Sequence, residues 1–160
     1  MFTTIHHPKD GAAPGLDGSQ GRALAGIVMD KIDDVQKDIL NANEYIEQMD
    51  LPLALPFFIA AWNKLNERLP KARHDQALIA HWSHQAAISM QDLPLKKKLE
   101  RLEWNNQQEL TIDLHMKRMQ GIMADVENIL IGVHEDCGDI LMSVPGFQCT
   151  IAAIRQRGAA

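Results

Sequence analysis

Histidine and cysteine side chains occur in two pairs with helical spacing. His81 and His84 are three residues apart, and His134 and Cys137 repeat that spacing later in the chain. Two such pairs on facing helices supply the four nitrogen or sulfur ligands of a tetrahedral zinc site. The pattern therefore suggests a site for zinc or another transition metal. The competing interpretation is structural, because Cys137 also fits an apolar seam and the two histidines flank Trp82, where they can face solvent.

Carboxylates with helical spacing form a second candidate site. Asn106, Glu109 and Asp113 follow each other at steps of three and four, which places them on one face of a helix. Acid–base catalysis requires such groups in a dry pocket, whereas exposed groups are only solvated. The chain has no Glu-x-x-His motif, glycine-rich phosphate loop or nucleophile elbow. We therefore assign no reaction and no catalytic residue.

Composition indicates one ordinary soluble domain. Of 160 residues, 46% are hydrophobic and 23% are charged, which excludes collagen-like and disulfide-scaffold classes. The longest uncharged stretch in the apolar middle of the chain, Leu51 to Trp62, contains two prolines and is shorter than a membrane span. Cys137 and Cys149 form no dense framework, and no secretory signal pattern is present, so we expect a cytoplasmic protein without a membrane span.

The domain prediction divides the chain near residue 18. Residues 1–18 are rich in glycine and proline and are predicted to form a disordered N-terminal arm, whereas residues 19–157 are predicted to form a single helical-bundle domain. Helix 1 is expected over about 19–50, because apolar residues recur there in alternating steps of four and three. These residues are Val28, Ile32, Val35, Ile39, Ala42, Ile46 and Met49.

Prolines set the next boundaries. Pro52 and Pro56 are expected to end or kink helix 1, because proline lacks a backbone donor and restricts the preceding residue. Pro70 is expected to separate a helix over 56–69 from a helix over 71–91.

The segment over 95–144 contains no proline but carries two apolar seams that are out of phase. The polar stretch over 105–109 is therefore either a register jump or a real break, and the length of an unbroken helix favours the break. The seams consist of Leu95, Leu99 and Leu102, and then Ile112, Met116, Met119, Met123, Val126, Leu130, Val133, Cys137 and Ile140. A last short amphipathic helix, with Phe147, Ile151 and Ile154 on one face, follows Pro145.

The predicted fold is all-α. We expect a bundle of four to six helices in which two long heptad-patterned helices, helix 1 and the helix over 112–143, pack antiparallel. No segment has the alternating pattern of a strand.

Charge is concentrated on helix 1. Residues 30–50 contain seven acidic side chains and two lysines, which gives −5, the formal net charge of the whole chain. A second acidic stretch, over 125–139, contains five acidic side chains and no lysine or arginine. These two stretches disfavour nucleic acid and favour a protein partner. The predicted interaction face consists of Asp33, Asp34, Asp38, Met116, Met119 and Met123.

The predicted function is protein binding by an adaptor, chaperone or assembly subunit, through an apolar helical face with acidic flanks. We expect a homodimer without a cofactor. The alternatives are a metal-binding bundle with a catalytic or sensing role, and a substrate or accessory factor of a bacterial secretion apparatus.

Overall fold

A computed structural model of the chain describes residues 19–89 and 91–159, and regular structure in this part is exclusively α-helical. The elements are α1 (Ser19–Glu47), α2 (Leu51–Ser89), α3 (Leu95–Cys137) and α4 (Phe147–Ala159). Their packing is bundle-like, so the predicted all-α class is confirmed. The predicted arm over 1–18 lies outside the described residues. None of the helices in the described part combines the length and apolar composition that crossing a bilayer requires.

The turn between α1 and α2 is built by Met49 and Asp50. Met49 has a φ of 58°, the left-handed conformation in which helices commonly end. Asp50 Oδ1 then accepts a hydrogen bond from the backbone N–H of Leu53 at 3.2 Å, which caps the first turn of α2. Helix 1 therefore ends before the predicted limit near 50, and Met49, placed on the seam by its spacing, is 94% exposed.

The predicted break at Pro70 is wrong, because α2 continues through this residue. Proline removes one helical hydrogen bond, here the bond to the carbonyl of Asn66. Leu69 and Ala72, on either side of Pro70, are both buried. Their burial offsets the lost hydrogen bond and keeps one long helix in place of the helices predicted over 56–69 and 71–91.

The predicted break over 105–109 is also wrong, because α3 is continuous. The two seams are out of phase because they lie on different sides of one helix. Residues of the second seam between Ile112 and Leu130 are buried, whereas Leu95 and Leu99 of the first seam are 71% and 56% exposed. The jump in register therefore marks a change from an exposed apolar face to a buried one.

The chain divides into two compact units. Of the described residues, unit 1 contains those over 19–30 and 70–117, and unit 2 contains those over 31–69 and 118–159. The largest buried side chains in unit 1 include Trp82 and Ile112, and those in unit 2 include Phe58, Leu65 and Phe147. The predicted face of α4 is confirmed, since Phe147, Ile151 and Ile154 are all buried.

Candidate functional site

An open groove between α1 and α3 forms a concave surface in unit 2. It has a volume of about 540 Å³, and its floor contains Phe58 of α2. Each wall contributes four residues at positions i, i+3, i+4 and i+7, the spacing of one helical face. The wall residues are Gln36, Ile39, Leu40 and Asn43 of α1, and Ile122, Asp125, Val126 and Ile129 of α3.

The groove exposes apolar side chains. Leu40 is 64% exposed and Ile129 is 39% exposed, whereas Ile39 and Ile122 are half-buried. Each wall spans eight residues, and its seven steps of 1.5 Å extend about 10 Å along the helix axis. Two parallel rows of this length, separated by an apolar floor, form a surface that is long enough to bind about two turns of a further helix.

The lips of the groove carry mainly negative charge. Asp33 and Glu47 lie seven residues to either side of Leu40, which places them on the same side of α1, and both are exposed. On α3, Asp125 and Asp136 are exposed and lie three turns apart. Lys37, four residues after Asp33, and Arg118, seven residues before Asp125, are exposed and add two positive charges. The groove is therefore an apolar channel with acidic margins.

The predicted acidic face divides into an outer and an inner part. Asp34 receives two hydrogen bonds from the Arg68 guanidinium, both of 2.5 Å, and Asp38 receives one from Lys64 Nζ at 2.5 Å. Hydrogen bonding by Arg68 lowers the pKa of Asp34 below its ordinary value of 3.8. Asp34 and Asp38 therefore hold α1 against α2, whereas Asp33 is exposed beside the groove.

The three methionines of the predicted face lie in the core. Met116, Met119 and Met123 are 4%, 2% and 1% exposed. Their spacing places them on the buried face of α3 together with Ile112, Val126 and Leu130. Flexible thioether side chains fill irregular gaps in cores as well as partner grooves. In this structure they fill the core and present no binding surface.

The predicted metal set is distributed over both units. His81 and His84 are exposed on α2 in unit 1, and His134 and Cys137 belong to α3 in unit 2. Nδ1 of His134 lies 3.2 Å from a guanidinium nitrogen of Arg155. The rings of His134 and Phe147 are arranged edge to face, with their centroids 5.8 Å apart. Within the described ranges, no three side chains of the types His, Cys, Asp and Glu are grouped as a metal ion would require.

The candidate acid–base residues do come together, in a groove of unit 1. Asn106, Glu109 and Asp113 line a cavity of about 550 Å³, as their spacing predicts. Asp113 accepts a hydrogen bond from Gln76 Nε2 at 3.3 Å and forms an ion pair with Lys117 at 3.1 Å. The remaining lining residues are Arg73, Gln76, Ala77, Ala80 and Leu110. Serine, cysteine and histidine do not occur in this lining.

The sequence interpretation placed Ile39 and Val126 of the unit 2 groove on its seams but missed three other apolar groove residues. Leu40 directly follows Ile39 of the predicted seam, and Ile122 and Ile129 lie beside the seam of α3. Apolar residues next to a seam widen the apolar face of a helix beyond what one neighbour covers. This widening was the available signal for the groove.

Sequence reasoning also passed over Glu127. This half-buried carboxylate of α3 accepts a hydrogen bond from the indole of Trp62 and one from the guanidinium of Arg157. The sequence gives no indication that Glu127 connects these side chains, because its partners are 65 and 30 residues away in the chain.

Comparison with known proteins gives no relative. No protein family matches the chain, and neither a curated protein nor a solved structure is significantly similar to it.

Proposed function

We propose that this protein is a protein-binding module that takes up an amphipathic helix of a partner protein in the groove of unit 2. The observation that carries the proposal is the matched spacing of the two walls, each with residues at i, i+3, i+4 and i+7. Two helices arranged in this way present a seat for a third helix, as in other helix-in-groove complexes. Adaptors, chaperones and assembly subunits all need such a surface.

The composition of the groove specifies the partner helix. Leu40 and Ile129 require an apolar stripe with the spacing i, i+3 or i+4, and i+7. The acidic lips, with Asp33 and Asp125 exposed on opposite helices, favour lysine or arginine on both flanks of that stripe. We therefore infer a basic amphipathic helix as the ligand. Because Cys137 and Cys149 are free thiols, we place this interaction in the cytoplasm.

Binding of a designed peptide tests the proposal. The probe is a fluorescein-labelled helical peptide of four turns with leucines at i, i+4, i+7 and i+11 and lysines on both flanks. A peptide of the same composition with scrambled leucine positions is the control. Fluorescence anisotropy should show saturable binding of the first peptide and not of the second. Equal affinities for the two peptides would contradict a helix-specific groove.

Variants locate the binding surface. Leu40→Glu places an unpaired carboxylate in the apolar channel and should weaken peptide binding at least about tenfold, or about 1.4 kcal/mol. Leu53→Glu is the matched control, because Leu53 belongs to the same unit and is 50% exposed but does not line the groove. Circular dichroism verifies that both variants keep their helices. Unchanged affinity in the Leu40 variant would contradict the proposed site.

Charge reversal tests the lips separately. Asp125→Lys should weaken the peptide with lysine flanks and strengthen a version with glutamate flanks. Raising the salt concentration should reduce both effects, since exposed charges are screened over about 8 Å at physiological ionic strength. If both peptides respond alike to Asp125→Lys, the acidic lips do not select the partner.

A further inference from the structure

One face of α3 in unit 1 carries an apolar stripe that the described residues leave exposed, and two of its residues, Asn106 and Leu110, also line the unit 1 groove. Leu95, Leu99, Leu110 and Leu114 are 71%, 56%, 52% and 57% exposed. Glu103 lies between them and is exposed, as is Asn106. Together these six residues define the α3 stripe, which follows one side of the helix over twenty residues.

The spacing of the α3 stripe is the same when read in either direction. Its successive steps are four, four, three, four and four residues. Leu95 and Leu114 therefore lie equally far from a point between Trp104 and Asn105. The same is true of Leu99 and Leu110, and of Glu103 and Asn106. Leucines thus occupy both ends of the stripe, and polar residues occupy its centre.

We propose that the α3 stripe binds a second copy of this chain, in an antiparallel pair whose twofold axis passes between Trp104 and Asn105. This pairing sets Leu95 level with Leu114 of the second copy, and Leu99 level with Leu110 of that copy. Both helices then cover their exposed leucines with leucines, while the polar residues meet around the axis. A stripe with this symmetry fits its own copy in an isologous contact, which is the commonest arrangement of homodimers.

The period of the stripe is compatible with continuous contact. Its mean step of about 3.8 residues exceeds the 3.6 residues of a helical turn, so the stripe winds slowly around α3. Two helices with such stripes remain in contact when they wrap around each other with a right-handed twist.

Charges beside the stripe support self-pairing. Lys98, Glu109 and Asp113 lie on the same flank of the stripe, as the helical period requires. In the antiparallel pair, Lys98 comes within two residues, or about 3 Å along the axis, of the levels of both Glu109 and Asp113 of the second copy. Opposite charges therefore face each other on this flank. The acidic lips of the unit 2 groove, by contrast, would repel the same groove of a second copy.

Disulfide trapping tests the direction of the pairing. Leu99→Cys and Leu110→Cys are made separately in a chain with Cys137→Ser and Cys149→Ser, and each variant is oxidised alone and in an equal mixture. The antiparallel pair predicts several-fold more linked dimer in the mixture than in either variant alone. If each variant alone forms as much linked dimer as the mixture does, the contact is parallel or unspecific, and the proposal is overturned.

The oligomeric state provides the second readout. Sedimentation equilibrium of the unmodified protein at micromolar concentration should give a dimer, and Leu99→Glu with Leu110→Glu should give a monomer with unchanged helical content. Leu53→Glu is the control and should remain dimeric. An unmodified protein that is monomeric at these concentrations overturns the proposal. Peptide binding by the groove is tested by other residues, so its failure and the failure of dimerisation are separate results.

Discussion

Glu127 connects three helices through one carboxylate oxygen, and its removal has a calculable cost. Oε1 of this α3 residue accepts a hydrogen bond from Trp62 Nε1 of α2 at 2.9 Å and another from Arg157 of α4 at 2.5 Å. Trp62 is 3% exposed, whereas the Arg157 side chain is 43% exposed. Without Glu127, the buried indole N–H has no acceptor, while the guanidinium can turn to water.

We predict that Glu127→Ala lowers the free energy of unfolding by about 2–3 kcal/mol. An unsatisfied buried donor costs about 1–3 kcal/mol, and a partly exposed ion pair adds no more than about 1 kcal/mol. Glu127→Gln keeps an acceptor for Trp62 and loses only the charge, so its cost should be below about 1 kcal/mol. Arg157→Ala should cost a similar amount, since it removes the ion pair alone.

Urea unfolding followed by circular dichroism measures these differences. For a chain of this length, the alanine variant should also unfold at a temperature lower by about 4–12 °C, because each kcal/mol corresponds to about 2–4 °C. The hydrogen bond to Trp62 is the decisive interaction only if alanine is clearly more destabilising than glutamine. Equal effects of Glu127→Ala and Glu127→Gln would show that the charge matters and the acceptor does not, and would refute this reasoning.

Three further predictions concern the ion pair of Asp34, the proline inside α2 and the candidate metal residues. Arg68 lowers the pKa of Asp34, so the wild type should be more stable than Asp34→Asn above pH 4 and should lose this advantage as the pH falls below 4. Urea titrations at several pH values should show a difference in the free energy of unfolding below about 1 kcal/mol at pH 7. Pro70→Ala restores a donor inside α2 and should raise the free energy of unfolding by about 1–2 kcal/mol, as thermal unfolding would show; a loss of stability would contradict the continuous helix. If His81 and Cys137 bind metal, His81→Ala with Cys137→Ser should lower the metal content of protein purified without chelator; mass spectrometry showing unchanged content would refute the metal site.

The helical class could be predicted from the sequence, but the helix boundaries could not. The apolar period is a property of many residues, so one unfavourable position does not remove it. Pro70 and the polar stretch over 105–109 were interpreted by local rules, and tertiary burial outweighed them. At Pro70 the neighbouring Leu69 and Ala72 are buried. In the stretch over 105–109, where the pattern predicted a break, Asn105 is only 8% exposed. This polar residue is therefore packed inside the continuous helix α3.

The candidate sites were predictable to different degrees for the same reason. Asn106, Glu109 and Asp113 were placed together correctly because they belong to one helix, where spacing determines geometry. The unit 2 groove requires side chains from α1, α2 and α3, and the sequence does not state which faces of these helices meet. Met116 and its neighbours were assigned to a surface because the period alone cannot distinguish a face covered by the same chain from one covered by a partner.

The role of the acidic residues of α1 depends on which charges the opposing helix carries. Asp34 and Asp38 are four residues apart, and Lys64 and Arg68 of α2 have the same spacing. Arg68 binds Asp34 and Lys64 binds Asp38. The earlier residue of one helix thus contacts the later residue of the other. Matched pairs of opposite sign were thus a signal for contact between two helices within the chain. Asp33 and Asp125 have no counterpart of this kind among the contacts that we observe in the described residues, and they are exposed beside an apolar groove. That contrast is why we place the complementary basic residues on a partner helix.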